Sequence, residues 1–214
     1  MFLQICERGF ARLESAIPVP YVDMARARLD CLGTGDKLFA YLDLDRTDPL
    51  VSHYVKAALP VAKIAFGIRT QLLRAQLTET MPASTVPLRS WHRDLPVEAK
   101  TPLSITSIFY LDPLRGAGHT FVIPFGSHAP ENLEHRAEQE VAVDASLGDC
   151  VFLSGSIWHS GSAPLAGFRR RAFILQFGYW WIKQQSSRQL ESGSFEESIY
   201  GTKAPPGDLY ITDR

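Results

Sequence analysis

The sequence predicts a mainly β protein, an antiparallel sandwich or barrel, with helices gathered ahead of it. Two observations carry that reading. From Ile68 to Trp181 the chain is a succession of short segments rich in β-branched and aromatic residues, each bounded by Gly, Pro, Asp or Ser. No helical periodicity separates these segments, and strands that follow one another without crossover helices pair antiparallel. Before Ile68 the signals are mixed and include helices.

Taken in order, "GFARLES" (Gly9 to Ser15) alternates loosely and reads as a short strand. "PVPYVDMARARLD" opens on prolines and moves into good helix formers. In "DPLVSHYVKAALPVAKIAF" Asp48 can cap, Pro49 suits the first helical position, and Val51, Val55, Leu59 and Ala62 recur at helical spacing. Pro60 is expected to kink or divide that helix. His53 belongs on its surface or against the sheet. The strand candidates are "IRTQLLRAQLTE", "LSITSIFYLD", "HTFVIPF", "EVAVDASLGDCVFL" and "RRAFILQFGYWWI". Beyond Lys183 the chain is polar and turn-rich, as a flap or packing arm would be. It contains no internal repeat.

The 214 residues, 45% hydrophobic and 21% charged, suffice for one core. We expect a single domain in which residues 1–67 form a helical flank, 68–183 the β core and 184–214 a tail or flap. A net charge of −1 leaves no electrostatic footprint for nucleic acid or an anionic membrane, so the expected partner is a small molecule. No apolar run reaches membrane-spanning length, and Glu7 and Arg8 interrupt the start where a signal peptide needs its apolar stretch. Cys6, Cys31 and Cys150 are odd in number and lack zinc or redox-motif spacing. Reduced thiols and a cytoplasmic location are expected.

Candidate chemistry starts at "LRSWHRDLPV". In extended backbone, residues two apart project from one face, so His92 and Asp94 can reach one point in space. The run "GDCVFLSGSIWHSGSAPLAGFRRRAFILQF" supplies a partner, His159, in a Ser/Gly-rich bend after the buried strand "CVFL". A lone His-x-Asp is commonly a solvated loop. Joined to a distal Trp-His with short strands between, it becomes specific. Two imidazoles and one carboxylate on one face of a metal form the facial triad of non-heme Fe(II) oxygenases, which leaves positions open for co-substrate and O₂.

Arg170 lies 11 residues after His159, and its alternation partners Ala172 and Ile174 are apolar, so that face should point into the barrel. A planar, permanently charged guanidinium suits the far carboxylate of 2-oxoglutarate. Arg169 and Arg171 should face solvent or the flanking helices.

Together these segments resemble the phytanoyl-CoA dioxygenase family of Fe(II)/2-oxoglutarate oxygenases, from near the N-terminus to about Trp181. "ERGFARLESAIPVPYVDMARARLD" is similar to that family's Gly-aromatic strand and first helix, and "WHRDLP" to its ligand pair. "FYLDPLRGAGHTFVIPFGSH" is similar to its hairpin with a Gly-rich bend, and the distal-histidine run to its segment ending in the arginine. The resemblance implies a double-stranded β-helix, the jelly-roll or cupin-like fold, with helices on one side. It also implies that His92, Asp94 and His159 bind iron and that Arg170 binds 2-oxoglutarate. Gln76 resembles a position that points at co-substrate or substrate. Where the family carries a Ser two residues after the distal His and an Asn soon after, this chain has Gly161 and Pro164, with Ser160 and Ser162 as nearby hydroxyls. The implied reaction is oxidative decarboxylation of 2-oxoglutarate to succinate and CO₂, coupled to hydroxylation of a small organic substrate. Related halogenases carry a small residue in place of the carboxylate, so Asp94 argues for hydroxylation, desaturation or cyclisation.

Other conspicuous residues have plainer readings. His119 and His128 are expected in turns and His135 in a charged loop or short helix. Cys150 reads as a small buried strand residue. "FGYWW" (Phe177 to Trp181) fits a pocket wall, a sheet core or a homodimer surface. Trp91 and Trp158 should pack around the histidines. Two rivals to the oxygenase are a cupin-type metalloenzyme without 2-oxoglutarate and a non-catalytic jelly-roll binding module.

Overall fold

The computed structural model describes residues 1–31, 39–82, 91–95, 97, 99, 101–114, 117–126 and 139–182. His128, His135 and the tail from Lys183 lie outside them. Among the described residues three helices, α1 (Phe2–Arg8), α2 (Val19–Asp30) and α3 (Pro49–Phe66), accompany nine strands. The strands are β1 (Phe10–Leu13), β2 (Phe39–Asp43), β3 (Thr70–Thr80), β4 (Ser104–Tyr110), β5 (Thr120–Ile123), β6 (Val141–Val143), β7 (Cys150–Ser154), β8 (Trp158–Gly161) and β9 (Arg170–Tyr179).

Among the described residues every strand pairing is antiparallel, in a six-stranded sheet of order β1-β7-β4-β9-β3-β2 and a three-stranded sheet of order β6-β5-β8. This is the antiparallel β core that the strand pattern predicts, in the jelly-roll form that the resemblance implies. Strand alternation sorts side chains between the two faces of the large sheet. On one face Phe109, Cys150, Phe152, Phe173, Leu175 and Phe177 pack with Ile5, Val22, Leu29, Tyr54 and Ala58 of the helices. On the other, Ile108, Tyr110, Val151, Leu153 and Ala172 pack against Val122 and Val143 of the small sheet. The second face is where the two sheets enclose a cavity.

Tyr54 locks α3 to the large sheet. Its ring stacks on Phe173 at 4.1 Å, meets Phe109 edge-on at 5.0 Å, and its hydroxyl donates to the Tyr21 carbonyl. Asp48 caps α3 through the Leu50 amide. Pro60 does not divide this helix, which runs unbroken from Pro49 to Phe66. Pro60 faces solvent while Tyr54, Ala58, Val61 and Ala62 are buried, so the carbonyl that loses its partner is on the side water can reach. His53 stacks on Tyr21 at 3.9 Å.

Two further features differ from the expectations, and a third decides between readings left open. β4 and β5 do not form a hairpin, because they belong to different sheets and the Gly-rich connection carries the chain from one to the other. His119 lies at the end of that connection. His159 sits within β8 rather than in a bend, because pairing with β5 satisfies the backbone that Ser160 and Gly161 would leave weakly structured. The "FGYWW" run turns no side chain into the cavity: Phe177 is core, and Trp180 and Trp181 are exposed.

Candidate metal centre and cavity

His92 and His159 come together through backbone. They form an isolated antiparallel bridge in which each amide donates to the other's carbonyl at 3.0 Å, with ring centroids 4.3 Å apart. Asp94, two residues on, turns Oδ1 toward both rings, 3.8 Å from His92 Nε2 and 3.9 Å from His159 Nε2. The three donor atoms lie within 4.8 Å of one another. Gly155 permits this approach. Its carbonyl accepts from the Leu95 amide at 2.8 Å, and a Cβ there would fall 2.0 Å from the Ser104 hydroxyl and 3.1 Å from Leu95.

Each group is oriented by a neighbour. The Thr106 hydroxyl donates to Asp94 Oδ2. His159 Nδ1 lies 3.1 Å from the Ile157 carbonyl, so it carries the proton and Nε2 presents its lone pair. Burial pushes the His159 imidazole below its ordinary value of 6.5; Asp94 opposes that shift and His92 adds to it. The His159 side chain is 7% exposed, Asp94's 17% and His92's 53%, so the cluster is sealed on the β8 side and open beside His92.

The cluster lines a cavity of about 480 Å³, within the range of small-molecule sites. Arg170 enters the same cavity from β9. Its Nε donates to the Gly118 carbonyl at 2.7 Å and its guanidinium reaches the Thr120 hydroxyl at 3.3 Å, which pairs in turn with Tyr110 Oη at 2.6 Å. Gly161 faces this guanidinium, and a Cβ there would lie 3.5 Å from three of its atoms. The missing side chain leaves room above the cation. Ser162 is committed elsewhere, accepting from the Gly118 amide and donating to the His119 carbonyl. Ser160 is fully buried.

Gln76 lines the cavity, but its amide donates to Asp43 Oδ1 at 2.9 Å. Arg171 points to the opposite face, forking onto Asp112 at 2.9 and 2.7 Å, and Arg169 bonds Glu79 and Asp30. Cys150 is fully buried on the helix side, with its thiol pushed well up by burial, and takes no part in the cluster. Arg93 lies over the Trp158 ring, its Cζ 4.9 Å from the centroid. Sequence reasoning missed Tyr41, Arg74, Thr106, Thr120 and Gln176 as lining residues. The alternation Thr106/Ile108 on β4 was a usable signal for one of them.

The donor set fits a divalent first-row metal: two imidazoles, one held neutral by its surroundings, and one carboxylate already hydrogen-bonded on its far oxygen. The Gly161 recess over a buried guanidinium fits a carboxylate.

No protein-family model matches the chain, and no curated protein matches it in sequence. Its fold is similar to solved structures. HygX from Streptomyces hygroscopicus, solved with nickel and 2-oxoglutarate bound, is 15% identical with a TM-score of 0.68, over 86% of this chain and 88% of HygX. EvdO2 from Micromonospora carbonacea var. aurantiaca is 17% identical with a TM-score of 0.67, over 83% of this chain and 89% of EvdO2. SnoN, the non-heme α-ketoglutarate-dependent epimerase from nogalamycin biosynthesis, is 16% identical with a TM-score of 0.63, over 96% of this chain and 90% of SnoN. Among the described residues no helix is long and apolar enough to cross a membrane.

Proposed function

We propose that this chain is a non-heme Fe(II)- and 2-oxoglutarate-dependent oxygenase of the phytanoyl-CoA dioxygenase type, a single catalytic domain that oxidises a C–H bond of a small organic molecule. The observation that carries the reading is the sharing of one cavity by the His92–Asp94–His159 cluster and the buried Arg170. His159 and Gly161, the residue facing that guanidinium, are two apart on β8 and so about 7 Å along the strand, the length scale of a five-carbon dicarboxylate. Neighbours of the same fold that hold nickel or iron and 2-oxoglutarate support it.

His92, Asp94 and His159 would hold the ion, and Arg170 the far carboxylate of the co-substrate. When bound, the metal with 2-oxoglutarate and O₂ supplies the oxidising power, with succinate and CO₂ released. The chain's own residues do the positioning. Thr106 fixes the Asp94 rotamer, the Ile157 carbonyl fixes the His159 tautomer, and Thr120 and the Gly118 carbonyl hold Arg170 in the cavity. The apolar walls at Ile108 and Ile174 exclude water from the reacting region. Hydroxylation is the reaction we favour, with stereochemical inversion, desaturation or cyclisation as other outcomes of the same C–H chemistry.

An oxygen-free titration tests this. Fe(II) with 2-oxoglutarate should give a weak visible charge-transfer band, and purified protein should then release succinate over a small-molecule library. Metal binding without the band would instead favour a cupin-type enzyme that does not use 2-oxoglutarate. No metal binding would favour a non-catalytic binding module.

A further inference from the structure

The cavity holds a second arginine that the proposed chemistry leaves unused. Arg74 projects into it from β3, on the same face as Gln76, Thr78 and Thr80. Its orientation is built by a bulge. The β3–β9 register runs Leu72↔Phe177 and then Arg74↔Gln176, so Leu73 is an extra residue and the alternation shifts by one. Leu73 packs on Gly178, where a Cβ would fall 2.8 Å from its side chain. Arg74 Nε is sealed from solvent without a hydrogen-bond partner among the described residues. A half-buried guanidinium with no counter-ion among the described residues is costly unless a ligand supplies one.

Charge and placement say which ligand. Asp94 is the only carboxylate lining the cavity among the described residues, and the only cations are Arg170 and Arg74 besides the histidines. A ferrous dication balances a 2-oxoglutarate dianion, and Asp94 balances Arg170, which leaves the charge of Arg74 over. Arg74, Gln176 and Thr106 lie in one transverse row of β3, β9 and β4. Arg74 is therefore about 10 Å across the sheet from Thr106, the residue that holds Asp94. Arg170 pairs with Thr80, six residues along, which places it about 20 Å down the strand from that row. The two guanidiniums start from opposite ends of the cavity.

We propose that Arg74, with the amide of Gln176 beside it, is the anchor for a carboxylate on the organic substrate, so that the substrate class is small organic acids. This rests on the oxygenase reading. A planar fork next to an amide matches a planar carboxylate, and a spacing of two strands sets a C–H bond a few carbons from that carboxylate beside the metal centre.

The test uses the full chain, ¹⁵N-labelled, with the arginine Nε–Hε signals assigned through Arg74→Gln and Arg170→Gln. Hexanoate is titrated as the probe, with hexan-1-ol as its neutral counterpart, inorganic phosphate as a non-planar anion and 2-oxoglutarate as the co-substrate. Hexanoate should move the Arg74 signal saturably, hexanol and phosphate should not, and 2-oxoglutarate should move the Arg170 signal. Hexanoate affinity should fall at least about tenfold in Arg74→Gln and less in Arg74→Lys, which keeps the charge and loses the fork. An Arg74 signal that ignores hexanoate, answers hexanol or phosphate equally, or is taken by 2-oxoglutarate overturns the proposal. If 2-oxoglutarate leaves Arg170 untouched while hexanoate still moves Arg74, the co-substrate reading fails and the carboxylate anchor stands.

Discussion

Thr106 donates its hydroxyl to Asp94 Oδ2 across 2.5 Å, leaving Oδ1 aimed at both histidine nitrogens. The carboxylate is thus divided between a protein donor and the candidate metal site, and its rotamer is set by the chain itself. Thr106→Val keeps the shape and removes the donor. Metal affinity in a chelator-competition titration should fall about 10–100-fold, with the melting temperature little changed, and Thr106→Ser should restore most of it. Unchanged affinity in the valine variant would show that Asp94 needs no such support.

Arg170 should govern the co-substrate alone. Its Nε is spent on the Gly118 carbonyl, so the rest of the fork is what a carboxylate would meet. Arg170→Ala should raise the 2-oxoglutarate KM about 10–100-fold, with kcat largely recovered at saturation. Gly161→Val should act in the same direction, because its side chain would fill the space above the guanidinium, where even a Cβ comes within 3.5 Å. Succinate release against co-substrate concentration reads both. A fall in kcat with unchanged KM would mean that these residues serve something other than co-substrate binding.

The candidate triad was legible because its geometry is local or sequential. His92 and Asp94 are two apart in extended backbone, and His159 follows a strand whose turn, Gly148–Asp149, is plain in the sequence. The inward direction of Arg170 followed from simple alternation on β9. Arg74 was hidden for the same reason in reverse. An unpaired Leu73 shifts the parity of β3, and a bulge leaves no clear mark in a run of Leu, Arg and Ala. Thr106 was hidden because its partner is 12 residues away in the sequence and on no shared element. α1 and β2 went unread because seven and five residues are too few for a periodic signal, and tertiary packing against β1 and β3 makes them.

Asp149 should be a stability residue rather than a functional one. It is 2% exposed, accepts from Arg12 Nε, the Ser15 amide and the Ser146 amide at 2.9, 2.9 and 2.7 Å, and lies 2.8 Å from Arg12 Nη2 in an ion pair. One buried carboxylate thereby joins the end of β1 to the turn before β7. Asp149→Ala leaves two amides and a guanidinium without their acceptor and should cost about 2–4 kcal/mol in denaturant unfolding. Metal affinity of the folded variant should match the parent, since Asp149 does not line the cavity. A variant of parental stability would contradict this.

The cysteines should react in the order of their exposure. Cys31 is exposed, Cys6 is partly buried and Cys150 is fully buried between Phe109 and Leu13 in the sheet. Burial, with Asp149 adding to it, raises the Cys150 thiol well above its ordinary value of 9.0, and burial raises the Tyr54 phenol above 10.0. A group that binds its proton more tightly when folded stabilises fully below its unfolded pKa and loses that contribution as pH rises above it. Stability should therefore be flat through neutral pH and decline above about pH 9, by up to about 1.4 kcal/mol per pH unit for Cys150 alone. Cys150→Ala should flatten that first decline and leave the later one, above about pH 10, to Tyr54. At pH 8 an alkylating reagent should label Cys31 quickly and Cys6 slowly, with Cys150 reacting only after denaturant is added. Rapid labelling of Cys150 in the folded protein would mean that the helix layer opens far more readily than its packing implies.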